Sequence, residues 1–153
     1  MQVPDTEYAD ADGTRIAYQM FGEGPPVLIV SGLLSNVEIT WEHELFRRTF
    51  ERIGKHVTAV VFDKRGVGLS DRFDEAPTAD QRIDDIISVL DAVGWEKAHI
   101  HGMSEGGLMA QHFTARHPER VLSLGLLNSS ISPRYWRRLP EYWLADDPAP
   151  LDL

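Results

Sequence analysis

Hydrophobic and polar positions divide the chain into short apolar runs separated by longer amphipathic stretches. Tyr8 to Gln19 alternates around Asp12-Gly13, a turn signal, and predicts a β-hairpin. Val27 to Val30 is continuously apolar, with Pro25-Pro26 before it and Ser31-Gly32 after it. A run with no polar alternate predicts a strand buried on both faces, as in a parallel sheet. Trp41, Leu45, Phe46, Phe50 and Ile53 recur at helical spacing and predict one helix, with Gly54 following it. Val57 to Phe62 is a second buried strand, and Asp63 to Pro77 a charged loop. Thr78, with Gln81 three residues on, has capping-box spacing. It opens a helix whose buried stripe is Ile83, Ile86, Ile87, Leu90 and Val93, and which Gly94 stops. Ala98 to Gly102 reads as a strand. Glu105 to Arg116 reads as a helix that ends before Pro118, and Val121 to Leu127 as a further strand.

The order is a hairpin followed by β-α-β-α-β-α-β. That alternation predicts an α/β fold, a mostly parallel sheet with helices on both faces and right-handed crossovers. A length of 153 residues suits one domain, and 42% hydrophobic with 25% charged residues is ordinary globular composition. The 15 Lys and Arg against 24 Asp and Glu leave a formal charge of -9. Non-specific nucleic-acid binding needs a surplus of cations, and anionic lipid attracts a polybasic patch; the chain has neither. The absence of cysteine excludes a disulfide scaffold, a thiol nucleophile and a thiolate metal site. No apolar run is long enough to span a bilayer, and Met1 to Asp12 lacks the apolar stretch of a secretory signal. These features make a cytoplasmic protein the default expectation, with neither nucleic acid nor membrane as a partner and no metal or cofactor called for.

One motif carries chemistry. Gly102-Met103-Ser104-Glu105-Gly106, followed by Gly107, matches Gly-x-Ser-x-Gly. A serine on a very tight strand-to-helix turn is held in strained backbone angles, and the residues two before and two after it must be small. In return its hydroxyl projects at a helix N-terminus, where the dipole favours developing negative charge. The motif lies where a predicted buried strand meets a predicted helix. A glycine-rich turn without catalysis would have the same spacing. The loop Ser31-Gly32-Leu33-Leu34 follows the Val27–Val30 strand; in this geometry it donates one backbone N–H to an oxyanion, and the residue after the nucleophile donates the other. Those donors would be Leu33 and Glu105. Asp63 and Arg65, in Asp63-Lys64-Arg65-Gly66-Val67-Gly68-Leu69-Ser70, are expected to hold their loop by hydrogen bonds. Glu105 could tune the site, although an acid in a helix's first turn also complements the dipole.

Gly24-Pro25-Pro26-Val27-Leu28, Phe62-Asp63-Lys64-Arg65-Gly66-Val67-Gly68-Leu69-Ser70-Asp71-Arg72, Gly102 to Gly107 and His117-Pro118-Glu119-Arg120-Val121 occur in that order. Together they resemble the α/β-hydrolase superfamily over residues 7 to 135, with a flavour of the hydrolase modules that occur beside class III adenylate or guanylate cyclase domains. The resemblance implies a core over 1–132 and the start of a lid over 133–153, with the last strands beyond. It also implies the chain order Ser, acid, His. After Ser104 only His112 and His117 remain. His112 lies eight residues along the helix, about 12 Å away, out of reach. His99 and His101 share a strand face and read as packing residues, and His43 could approach the oxyanion loop. Asn128 ends the last strand, where some relatives carry an acid, but it bears no charge. Trp136, Tyr142 and Trp143 could line a pocket or simply pack.

The resemblance thus implies a serine hydrolase for a small ester, lactone or related acyl compound, its acid and histidine supplied elsewhere. A non-catalytic ligand-sensing module, with a cyclase as the neighbour that the resemblance suggests, and an inactive remnant remain as alternatives. The Val121–Leu127 strand should lie at an open edge, so self-association or pairing with a C-terminal half is expected.

Overall fold

The computed structural model describes residues 1–73 and 76–129. The expected lid segment, with Trp136, Tyr142 and Trp143, lies outside the described residues. The hairpin forms as β1 (Glu7–Ala11) and β2 (Thr14–Gly22), closed at Asp12 and Gly13, both of which have positive φ. The strands β3 (Pro26–Val30), β4 (Thr58–Phe62), β5 (Ala98–Met103) and β6 (Val121–Leu127) complete one sheet of order β1-β2-β4-β3-β5-β6. Pairing is parallel from β4 through β3 and β5 to β6, and antiparallel on the hairpin side. The sheet is therefore mixed and mostly parallel.

The continuous apolar runs have a simple cause. Leu28, Val30, Val60, Phe62 and Ile100 face one layer, where they pack with Ile83, Ile86, Val89 and Leu90 of α3 (Ala79–Ala92) and Ala110 and Phe113 of α4 (Glu105–Arg116). Their neighbours Ile29, Ala59 and Val61 face the other layer, with Phe21, Val37 and Trp41. With both faces covered, the buried positions of β3 and β4 are all apolar, and the polar Thr58 stands only at the start of β4. Each fully buried large apolar side chain contributes about 1.5–3 kcal/mol.

The capping box of α3 forms in both directions. Gln81 N–H donates to Thr78 Oγ1 at 3.2 Å, and Thr78 N–H donates to Gln81 Oε1 at 2.9 Å. Gly94, at φ 71°, ends that helix.

The single helix expected over Trp41 to Ile53 is a misreading. The chain forms α1 (Ile39–Glu42) and α2 (Glu44–Ile53), separated at His43, whose backbone is extended (φ −84°, ψ 115°). Trp41 and Phe50 both pack on Phe21, with ring centroids 5.2 and 5.0 Å from it. At 3.6 residues per turn, nine residues of unbroken helix would put positions 41 and 50 about 180° apart. The break at His43 lets both reach the same partner. Leu45 and Phe46, which share the stripe, stay 65% and 44% exposed. The buried Trp41 indole donates to Gln19 Oε1 at 2.7 Å, so its N–H is satisfied. Gly54 does cap α2, but with right-handed backbone (φ −63°); a Cβ there would lie 3.3 Å from Gly22 Cα.

Candidate active site

Ser104 lies between the last residue of β5 and the first of α4, with φ 53° and ψ −124°. A non-glycine residue with these angles is strained and must be held by its surroundings. Its amide donates to Leu127 O at the end of β6 (2.9 Å), and its carbonyl accepts from Gly107 N–H (3.1 Å). The glycines answer to close approach. A Cβ on Gly102 would fall 2.6 Å from Gly107 Cα, and one on Gly106 would fall 2.2 Å from Ser31 O and 2.3 Å from Val30 O. A Cβ on Gly107 would meet the Ser129 hydroxyl at 2.1 Å. The pattern read in the sequence is thus a packing requirement in three dimensions.

The turn after β3 lies against this elbow. A Cβ on the buried Gly32 would sit 3.3 Å from Ser104 Cβ and 3.7 Å from Ser104 Oγ. Leu33, the next residue, is 65% exposed. Glu105 opens α4, and the first amides of a helix have no intrahelical acceptor. The two backbone segments named as oxyanion donors therefore flank the serine.

Asp63 and Arg65 are fully or almost fully buried. Asp63 Oδ2 accepts from Leu69 N–H at 2.9 Å and Val37 N–H at 3.2 Å, and Gly68 leaves room for that carboxylate. Arg65 donates from Nε to Asp85 Oδ1 at 2.6 Å and from its amide to Asp85 Oδ2 at 3.1 Å. Burial pushes the Asp85 carboxyl above its ordinary range, and the two Arg65 contacts oppose that. No pattern in the sequence distinguishes Asp85 from its exposed neighbour Asp84.

Lys64 was also missed. Its side chain is fully buried, and Nζ donates to Gly32 O at 2.6 Å and to the Glu105 carboxylate. Burial pushes the Lys64 ammonium below its ordinary range, against the pull of Glu105. A lysine in a glycine-containing loop normally reads as solvated, so nothing in the sequence marked it. Glu105 is therefore an ion-pair partner as well as an acid at a helix start.

The histidines are dispersed. His99 Nδ1 lies 2.8 Å from Ser123 Oγ, His117 stacks on Phe113, and His112 is exposed on α4. His43 lines an apolar cavity of about 470 Å³ with Ser31, Leu34, Phe46, Phe50 and Met103, beside the elbow. None of the described histidines is hydrogen-bonded to Ser104. Asn128 follows β6 with φ 53° and is exposed. Among the described residues no cluster of acids and histidines could hold a metal, and no helix is long and apolar enough to cross a membrane.

Comparison with known proteins agrees with this architecture. The chain is 32% identical over 121 residues to 2-hydroxymuconate semialdehyde hydrolase of Pseudomonas sp. strain CF600, covering 78% of this chain and 42% of that protein. It is 32% identical over 124 residues to the pimeloyl-[acyl-carrier protein] methyl ester esterase of Chromobacterium violaceum, covering 78% and 42%. The structure of the meta-cleavage product hydrolase CumD of Pseudomonas fluorescens IP01 superposes with a TM-score of 0.68 at 30% identity, covering 81% of this chain and 45% of that one. The chain thus spans less than half the length of these relatives. A family model for the alpha/beta hydrolase fold matches residues 25–152, most of the chain, and by that measure the protein belongs to the alpha/beta hydrolase fold family.

Proposed function

We propose that the protein is a serine hydrolase for a small ester, lactone or related acyl compound. The observation that carries this reading is the strained backbone of Ser104 at the strand-to-helix turn, with Gly32 against it. Ser104 Oγ attacks the acyl carbon while its proton passes to a histidine base. The electron pair moved onto the carbonyl oxygen is held by the Leu33 and Glu105 amides. Collapse breaks the bond to the leaving group, which takes the proton from the histidine. Water then cleaves the acyl-enzyme by the same route. The histidine and its orienting acid belong to the part of the fold that this chain does not span. Relatives named as an ester esterase and a semialdehyde hydrolase support acyl chemistry. The apolar cavity beside the elbow suits an apolar acyl portion.

Fluorophosphonate labelling of the full-length protein tests this. A covalent adduct that is lost in Ser104→Ala is the expected result; no adduct, or one that persists in that variant, refutes it. A second reading is a non-catalytic ligand-sensing module. It draws on the lack of a hydrogen bond between Ser104 and any of the described histidines. It predicts ligand binding unchanged in Ser104→Ala, with no turnover.

A further inference from the structure

Lys64 occupies a position that neither the resemblance nor the hydrolase reading assigns. It lies two residues past the end of β4, and its side chain reaches both segments that flank Ser104. Its ammonium is fully buried, and a buried charge is costly unless paired and hydrogen-bonded. Both compensating acceptors belong to the proposed oxyanion segments. One is the carbonyl of Gly32, at 2.6 Å; the other is the carboxylate of Glu105.

The Gly32 contact has a geometric consequence. Gly32 C=O and Leu33 N–H belong to one peptide unit, and no peptide bond among the described residues is cis. In a trans unit the two groups point in opposite directions within one plane. Fixing the oxygen on Lys64 therefore turns Leu33 N–H away from Lys64 and fixes its direction. A hydrogen bond accepted by the carbonyl also polarises the N–H of the same unit, because hydrogen-bonded chains strengthen one another. At its other contact Lys64 holds the side chain of the first residue of α4, whose amide is the second proposed donor.

We propose that Lys64 is a positioning residue that ties the Gly32–Leu33 peptide to Glu105 and so sets the direction and separation of the two oxyanion donors beside Ser104. The geometric half stands on the two contacts. The catalytic half rests on the hydrolase reading.

The test uses the full-length protein and two readouts. The first is the NMR resonances of the Gly32 carbonyl carbon and the Leu33 amide nitrogen. The second is the rate of Ser104 phosphonylation by a fluorophosphonate, with kcat and KM for a small aryl ester. In Lys64→Met the Gly32 and Leu33 resonances are expected to move. Phosphonylation and kcat are expected to fall about 10²-fold with KM little changed, the scale of a misplaced catalytic group. Glu105→Ala releases only one end and is expected to lower kcat by less, with the Gly32 resonance held near its wild-type position; a Gly32 resonance that moves in step with the fall in kcat would overturn the two-ended tie. It keeps the proposal testable should Lys64→Met fail to fold.

Unmoved Gly32 and Leu33 resonances in a folded Lys64→Met protein overturn the geometric half. A loss carried by KM alone overturns the positioning role. If the wild-type protein does not react with the fluorophosphonate at all, the hydrolase reading falls, and the carbonyl resonance still decides whether Lys64 sets the peptide.

Discussion

Gly106 is where helix propensity and close packing predict opposite outcomes. Replacing glycine by alanine inside a helix normally stabilises it by about 1 kcal/mol. Here the added methyl would lie 2.2 Å from Ser31 O and 2.3 Å from Val30 O. An unstrained carbon-to-oxygen contact is roughly 3.3 Å, so α4 and the end of β3 must part by about 1 Å. Both obstacles are backbone atoms, and Val30 is held in register against Gly102 of β5, so no side chain can swing aside. Overpacking of this kind costs typically about 1–3 kcal/mol, at or above what propensity returns. Gly106→Ala is therefore expected to lower stability by up to about 2 kcal/mol. The displacement falls on Ser31 to Leu33, so phosphonylation of Ser104 should slow by about 10²-fold. Urea unfolding and the labelling rate, measured on one preparation, supply both numbers. An alanine variant that gains stability and labels at the wild-type rate would refute the close-approach explanation of the motif.

Asp85→Ala leaves the buried Arg65 guanidinium unpaired, and the loss of one partner of a buried pair should cost about 3–5 kcal/mol in urea unfolding. Thr78→Ala removes the cap of α3 and should cost about 1 kcal/mol in urea unfolding. The Arg15 amide and guanidinium hold the Asp71 carboxyl below its ordinary value of 3.8. The folded form then binds the proton less tightly than the unfolded chain. The contribution is present above pH 3.8 and is lost as pH falls through the folded value. Asp71→Asn should accordingly flatten the acid limb of the urea midpoint plotted between pH 2 and 7, and an unaltered limb would contradict the assignment.

What could be read from the sequence and what could not follow from the range of the interactions. The strands were legible because Val27–Val30 and Ala59–Phe62 bury both faces, and an uninterrupted apolar run records that locally. The Thr78–Gln81 box and the glycines around Ser104 were legible because caps and tight turns use residues a few positions apart. The break at His43 was not, because it answers to Phe21, on another element. Lys64 and Asp85 escaped for the same reason. Each is an ordinary charged residue whose partner lies far along the chain, at Glu105 and Arg65, and burial of a charge leaves no periodic trace.

The hydrogen bond from Ser104 N–H to Leu127 O has a consequence for the order in which the protein is made. Ser104 and the glycines around it leave the ribosome before β6 does, yet one anchor of their strained turn is the carbonyl that closes that strand. At about 5–20 residues per second, the elbow waits on the order of seconds for that anchor. During this interval the N-terminal hairpin, β3 and β4 can already pair, while Ser104 is free to relax out of its unfavourable angles. The elbow is thus completed late in synthesis, when β6 docks and supplies this anchor.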